Sequence, residues 1–224
     1  SGNACVLRGS SSAAHSNAVL AGIAAEAARE AGLPDGSVVL VAGGGRDELA
    51  ELATQDGVVD LIIPRGGEGL KAALSGVATV PVIYAASGNC HVYVDATADL
   101  DKALAIAVNA KTHRPGVCNA AESLLVHEDV AAAFVPRVVD ALRAEGVEMR
   151  VDERVRELAA GDGLVDVTDE DWDTEFLALV LAVGVVGSLE EAIDHVNVHG
   201  SGHSEAIVTE DLGAALAFER GVDA

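Results

Sequence analysis

Short apolar runs alternate with longer stretches of helical periodicity along the whole chain, which is the pattern of parallel βαβ units. Residues 4–7 read as a strand. Ser11 or Ser12 can cap an alanine-rich helix through residue 31, and Gly32-Leu33-Pro34-Asp35-Gly36 ends it. A strand over 38–41, a short helix over 47–54 and a third strand over 61–63 follow, and Arg65-Gly66-Gly67 opens the next helix. Gly43-Gly44-Gly45 follows a strand but lacks the GxGxxG spacing, so it reads as a turn.

Past residue 84 the pattern shifts to a strand over 91–94, a helix over 100–112 and a loop shaped by glycine and proline. Three further strand and helix pairs follow: 123–126 with 130–145, 177–186 with 189–198, and 206–209 with 212–221. Right-handed crossovers turn this order into an α/β fold with a doubly wound parallel sheet. The lobes should meet near Ser87 and Gly88, giving domains 1–88 and 89–224.

At 224 residues, half of them hydrophobic, the chain can bury a substantial core, and no apolar run is long enough to span a membrane. Cys5, Cys90 and Cys118 have neither paired-ligand spacing nor a disulfide framework, so a thiol-rich metal site is not expected and a reducing, cytoplasmic setting is. The charge of -22, from 36 acids against 14 bases, would repel nucleic acid. A solvated acidic face and adaptation to high salt both account for it.

Candidate chemistry centres on Lys111-Thr112-His113-Arg114-Pro115-Gly116-Val117-Cys118-Asn119-Ala120. A thiol on such a loop is accessible and can attack an acyl carbon, provided that a cation or helix end lowers its pKa; His113 and Arg114 are candidate cations. An isolated cysteine is more often a buried small hydrophobe, the role assigned to Cys5 and Cys90 in their apolar runs. Taken alone, Arg8 is a strand-end charge, Arg65-Gly66-Gly67 a turn, and Glu175 part of an acidic face beside Asp169-Glu170-Asp171. His199 and His203 flank glycines on a loop rather than sharing a helix face, so no metal pair is expected. His91 and His127 read as structural, and Trp172 as packing.

THRPGVCNA followed by ESLLVHEDV resembles the active-site segment of the gamma-glutamyl phosphate reductase (glutamate-5-semialdehyde dehydrogenase) branch of the aldehyde dehydrogenase superfamily. SGNACVLRG at 1–9, IIPRGGEGL at 62–70, GNCHVYVDATADL at 88–100, DWDTEFLALVLAV at 171–183 and HGSGHSEAIVTED at 199–211 are similar to it in the same order. The resemblance implies an aldehyde dehydrogenase-like fold and NADPH-dependent reduction of L-glutamyl 5-phosphate to glutamate 5-semialdehyde in proline biosynthesis. Cys118 would be the nucleophile, with the Cys118 or Asn119 amide as oxyanion donor. Arg8, Arg65, Gly66, Gly67 and Glu175 would bind NADPH, while His199, Gly200, Ser201, Gly202, His203 and Ser204 would hold the substrate's α-carboxylate.

In the same register the hydrolytic glutamate of ordinary aldehyde dehydrogenases falls at Ala85, which leaves a thioester poorly exposed to water. His113 in place of glutamine, Tyr84-Ala85-Ala86-Ser87, and Gly184 in place of lysine depart from the family's wording. Both ends look cut, and the resemblance implies a further C-terminal segment that helps build a dimer, so a homo-oligomer is expected of a full-length protein. A CoA-acylating dehydrogenase and an inactive scaffold are the alternatives.

Overall fold

A computed structural model describes residues 2–41, 45–66, 68–83, 88–159 and 161–224, with their side chains except those of Arg46 and Glu68. The chain divides into two compact units, Ser1–Ala85 and Ala86–Ala224.

In the first unit β1 (Cys5–Leu7) pairs in parallel with β2 (Val38–Leu40), Cys5 opposite Val38, and the 3-10 turn Ser11–Ala13 and helix α1 (Ala14–Glu30) connect them. Helices α2 (Arg46–Ala53) and α3 (Glu68–Ser75) follow. The strand expected over 61–63 is reduced to one parallel bridge, Ile62 to Val82. Two paired strands and one helix cover little apolar surface: Val6 is 52% exposed, Leu20 65% and Ile23 60%. Cys5 is exposed for the same reason, against its expected place in a core.

The second unit is a six-stranded, wholly parallel sheet. Its elements are β3 (Cys90–Val94), α4 (Leu100–Thr112), β4 (Ala121–His127), α5 (Glu128–Ala144), β5 (Glu148–Val151), α6 (Glu153–Leu158), β6 (Leu164–Asp166), α7 (Asp169–Trp172), β7 (Val180–Val186), α8 (Leu189–His199), β8 (Glu205–Val208) and α9 (Leu212–Gly221). The spatial order is β6-β5-β7-β4-β3-β8. Side chains alternate across it. Val92, Val94, Leu124, Val126, Val183 and Val185 pack with Ala103 and Ala107 of α4 and with Phe134, Val138 and Leu142 of α5, while Tyr93, Leu125 and Val186 meet Val196 of α8 and Phe218 of α9.

Periodicity missed β5, α6, β6 and α7. In β5 the apolar Met149 and Val151 alternate with Glu148 and Arg150, and β6 is a three-residue edge strand, so neither makes a continuous apolar run. Gly184 of β7 has a local reason: a Cβ there would lie 3.0 Å from the Trp172 ring and 3.2 Å from Asp152 Oδ2.

Phe134 is fully buried between α5 and the sheet. Phe134→Ala is expected to lower the unfolding free energy of the second unit by about 3–5 kcal/mol, read from urea denaturation followed by circular dichroism.

Candidate active site

A parallel sheet gathers the starts of its strands along one edge, and four neighbouring strands, β7, β4, β3 and β8, bring four segments together there. Glu175 lies before β7, Cys118 and Asn119 before β4, Gly88 and Asn89 before β3, and residues 199–204 before β8. The sequence-predicted catalytic and substrate residues therefore converge within one unit.

Helix α4 begins at Asp99, whose carboxylate accepts from the Asp101 and Lys102 amides, and runs toward that edge. Two turns then reverse the chain, Val117 N donating to Arg114 O at 3.2 Å and Ala120 N to Val117 O at 3.0 Å. Cys118 and Asn119 are exposed on this loop, as are His113 and Arg114. Among the described residues no hydrogen bond engages the Cys118 or Asn119 amide. The helix end nearest in sequence is the C-terminus of α4, the negative end of its dipole.

Gly88 packs directly against the backbone of Cys118. A Cβ on it would stand 1.5 Å from the Cys118 carbonyl oxygen, so only glycine fits. Its amide donates to Glu175 Oε1 at 2.8 Å, which ties the 175 segment to the cysteine loop. Next to it, buried Asn89 donates from its amide to Ser201 Oγ at 3.0 Å and from Nδ2 to Trp172 O at 2.6 Å and His199 O at 2.7 Å. The buried Cys90 thiol donates to Cys118 O at 3.3 Å. Burial, then the Glu205 carboxylate, push its pKa up to about 12.

Beneath the loop lies an ion pair that periodicity did not anticipate. Lys111 Nζ, in the last turn of α4, donates to Glu122 Oε2 of β4 at 2.5 Å, and both side chains are 0% exposed. Burial pushes Glu122 up and Lys111 down, and their mutual hydrogen bond opposes both shifts. Glu122 Oε1 accepts from Leu177 N at 3.4 Å.

The 199–204 loop is pinned at both ends. Gly200 leaves α8 where a Cβ would lie 2.5 Å from Val196 O, and Gly202 has φ +68°. Glu205 accepts from His91 N at 2.6 Å and sits 3.0 Å from His91 Nδ1. His203 Nδ1 lies 2.9 Å from Ser204 Oγ, and His199 Nδ1 2.7 Å from Asp173 Oδ1. His195 stands edge-on between Trp172 and His91, and burial, then the His91 and His199 charges, hold its pKa down at about 3. His91 is thus structural, as expected, and so is His127, whose Nδ1 accepts from Asp129 N at the start of α5.

The remaining sequence-predicted residues belong to the first unit. Arg8 Nη2 donates to Gly45 O at 2.9 Å. Arg65 and Gly66 are exposed just before α3, and a Cβ on Gly66 would lie 2.9 Å from Leu70 Cδ2. Gly67, Gly43, Gly44 and the 84–87 segment with Ala85 lie outside the described residues. Sequence reasoning missed Gly88, Asn89, Lys111, Glu122 and Glu205. A signal existed for Glu122, a lone acid heading an apolar strand.

Brief iodoacetamide treatment near neutral pH, mapped by mass, should label Cys118 and Cys5 and spare Cys90, whose labelling should rise only as the pH approaches 12. A second expectation concerns acid. Between pH 6.5 and about 3 the unfolded chain binds a proton at His195 that the folded chain refuses, so stability falls as pH drops through that window. His195→Asn should flatten the fall in denaturation midpoints measured from pH 7 to 4.

The chain is 48% identical over 223 residues to gamma-glutamyl phosphate reductase of Syntrophomonas wolfei, and 49% identical to that of Heliobacterium modesticaldum, covering 100% of this chain and 53% of each relative. The crystal structure of gamma-glutamyl phosphate reductase from Thermotoga maritima superposes on all of it with a TM-score of 0.94 at 43% identity, covering 53% of that protein. The chain thus spans about half the length of the curated relatives it matches. The profile of the Aldehyde dehydrogenase family matches residues 1–157, and the chain belongs to that family.

Proposed function

We propose that this chain carries the catalytic cysteine of an enzyme that reduces L-glutamyl 5-phosphate to glutamate 5-semialdehyde, with NADPH as hydride donor and release of phosphate, in proline biosynthesis. The observation that carries the reading is the exposed Cys118 set at one sheet edge beside a glycine, serine and histidine loop, in a chain 48% identical to a relative bearing that name. Residues 1–88 then form part of an NADP-binding domain and 89–224 the catalytic domain. The full-length enzyme is read as a cytoplasmic homo-oligomer.

The Cys118 thiolate attacks the acyl carbon; the carbon–sulfur bond forms as the carbon–oxygen bond to phosphate breaks, and phosphate leaves with little acid assistance. The Cys118 and Asn119 amides supply donors for the oxyanion. A nicotinamide cofactor held beside Cys118 would supply the hydride that reduces the thioester carbonyl. Breaking the carbon–sulfur bond of the thiohemiacetal then frees the aldehyde and restores the thiolate of Cys118. Ser201 Oγ accepts from the Asn89 amide, which leaves its own proton for the substrate α-carboxylate, next to main chain opened by Gly200 and Gly202 and to the polar groups of His199, His203 and Ser204.

Within each unit the residues assigned to the cofactor have chemistry suited to a nicotinamide dinucleotide. Gly88 engages one oxygen of the half-buried Glu175 carboxylate, leaving the other for a ribose diol. Arg8, whose Nη2 also donates to Gly45 O, and Arg65 carry guanidinium charge suited to phosphate, and Gly66 lies just before α3.

The test runs the reaction in reverse, with this chain and with a chimera completed by the remaining segments of the Syntrophomonas wolfei relative. Glutamate 5-semialdehyde and NADP should give NADPH only when phosphate or arsenate is present, and Cys118→Ser should abolish the signal. Formation without phosphate would indicate hydrolytic chemistry, and a requirement for CoA an acylating enzyme. An inactive chimera would leave a scaffold.

A further inference from the structure

Lys111 and Glu122 close the loop that carries Cys118, one at the end of α4 and the other in β4, joined at 2.5 Å with both side chains fully buried. The glutamate does more than neutralise the lysine. Its second oxygen takes the amide of Leu177, which among the described residues is the non-glycine residue with positive φ, at +52°. That conformation is unfavourable for leucine and persists only where surroundings impose it. Two residues earlier, Glu175 accepts from Gly88, and Gly88 abuts the Cys118 carbonyl. A closed ring results: the Cys118 loop, Glu122, the 175–177 segment, Gly88, and Cys118 again.

An apolar pair of similar volume would fill the same space, and buried ion pairs seldom stabilise a fold better than such a pair does. What an apolar pair could not do is accept the Leu177 amide. We propose that Lys111 and Glu122 are positioning residues, which hold the nucleophile loop and the Glu175 segment in one fixed geometry. The inference deepens the proposed function and rests on Cys118 being its nucleophile.

The chain's cysteines supply the readouts for the test. Cys118 is the probe, exposed Cys5 in the other unit is the reference, and buried Cys90 reports whether the fold is intact. In the double variant K111M/E122L, which keeps the space filled and the net charge unchanged, iodoacetamide should label Cys118 relative to Cys5 at least about threefold faster, with Cys90 still protected, because the released loop opens more often. Glu122→Gln, whose side-chain oxygen can still accept from the Leu177 amide, should raise the ratio less than the double variant does. A folded double variant with Cys90 protected and an unchanged ratio would overturn the proposal.

If the double variant does not fold, hydrogen exchange of the unaltered chain decides. Amides of 116–120 and 175–177 should then exchange with a common opening rate, and clearly separate rates would sink the idea. In the chimera, K111M/E122L should lower kcat with little change in KM for glutamyl phosphate. A chimera inactive even when unaltered would count against the proposed function, while the labelling result would still stand on its own.

Discussion

The arrangement of the second unit hangs on burying a lysine and a glutamate together, with no exposed surface on either side chain. Each charge alone would be driven toward its neutral form by the loss of water, as the upward shift of Glu122 and the downward shift of Lys111 register. Removing one partner of such a pair strands the other, a penalty of about 3–5 kcal/mol. The exposed cysteine is carried on a loop whose two ends this pair joins.

Open α/β sheets commonly bind ligands beyond the carboxyl ends of their strands. Here the cysteine, Glu175 and the 199–204 loop all precede strands, so they lie along the opposite edge. Helices of the unit end at this edge rather than begin there: α4 finishes just before the cysteine loop, and α8 finishes at His199. Backbone dipoles thus give an anion little help. Under the proposed function, holding a carboxylate there falls instead to glycine-opened main chain and to side-chain donors such as Ser201.

The first unit has a different physical character. Its described strands share a two-stranded sheet, and α1 buries only Ala21, so apolar residues of β1 and α1 stay exposed. The second unit instead places helices against both faces of six strands, and β3, β4 and β7 are buried along nearly their whole length.

By itself the sequence determined the α/β order, the helices over 100–112 and 212–221 to the residue, and the exposed cysteine on a turn after the first of them. These are local: the capping of α4 by Asp99, the 3.6-residue period and the loop chemistry of proline and glycine are all readable within a few positions. Only the tertiary structure decided that Cys5 is exposed while Cys90 is buried, since both sit in apolar runs and differ in how many layers cover them. It alone joined Lys111 to Glu122, Asn89 to Ser201 and Gly88 to both Glu175 and the Cys118 carbonyl. Strand order made those contacts. Neighbouring strands can be distant in sequence, and no local pattern says which loops a parallel sheet will bring to one edge.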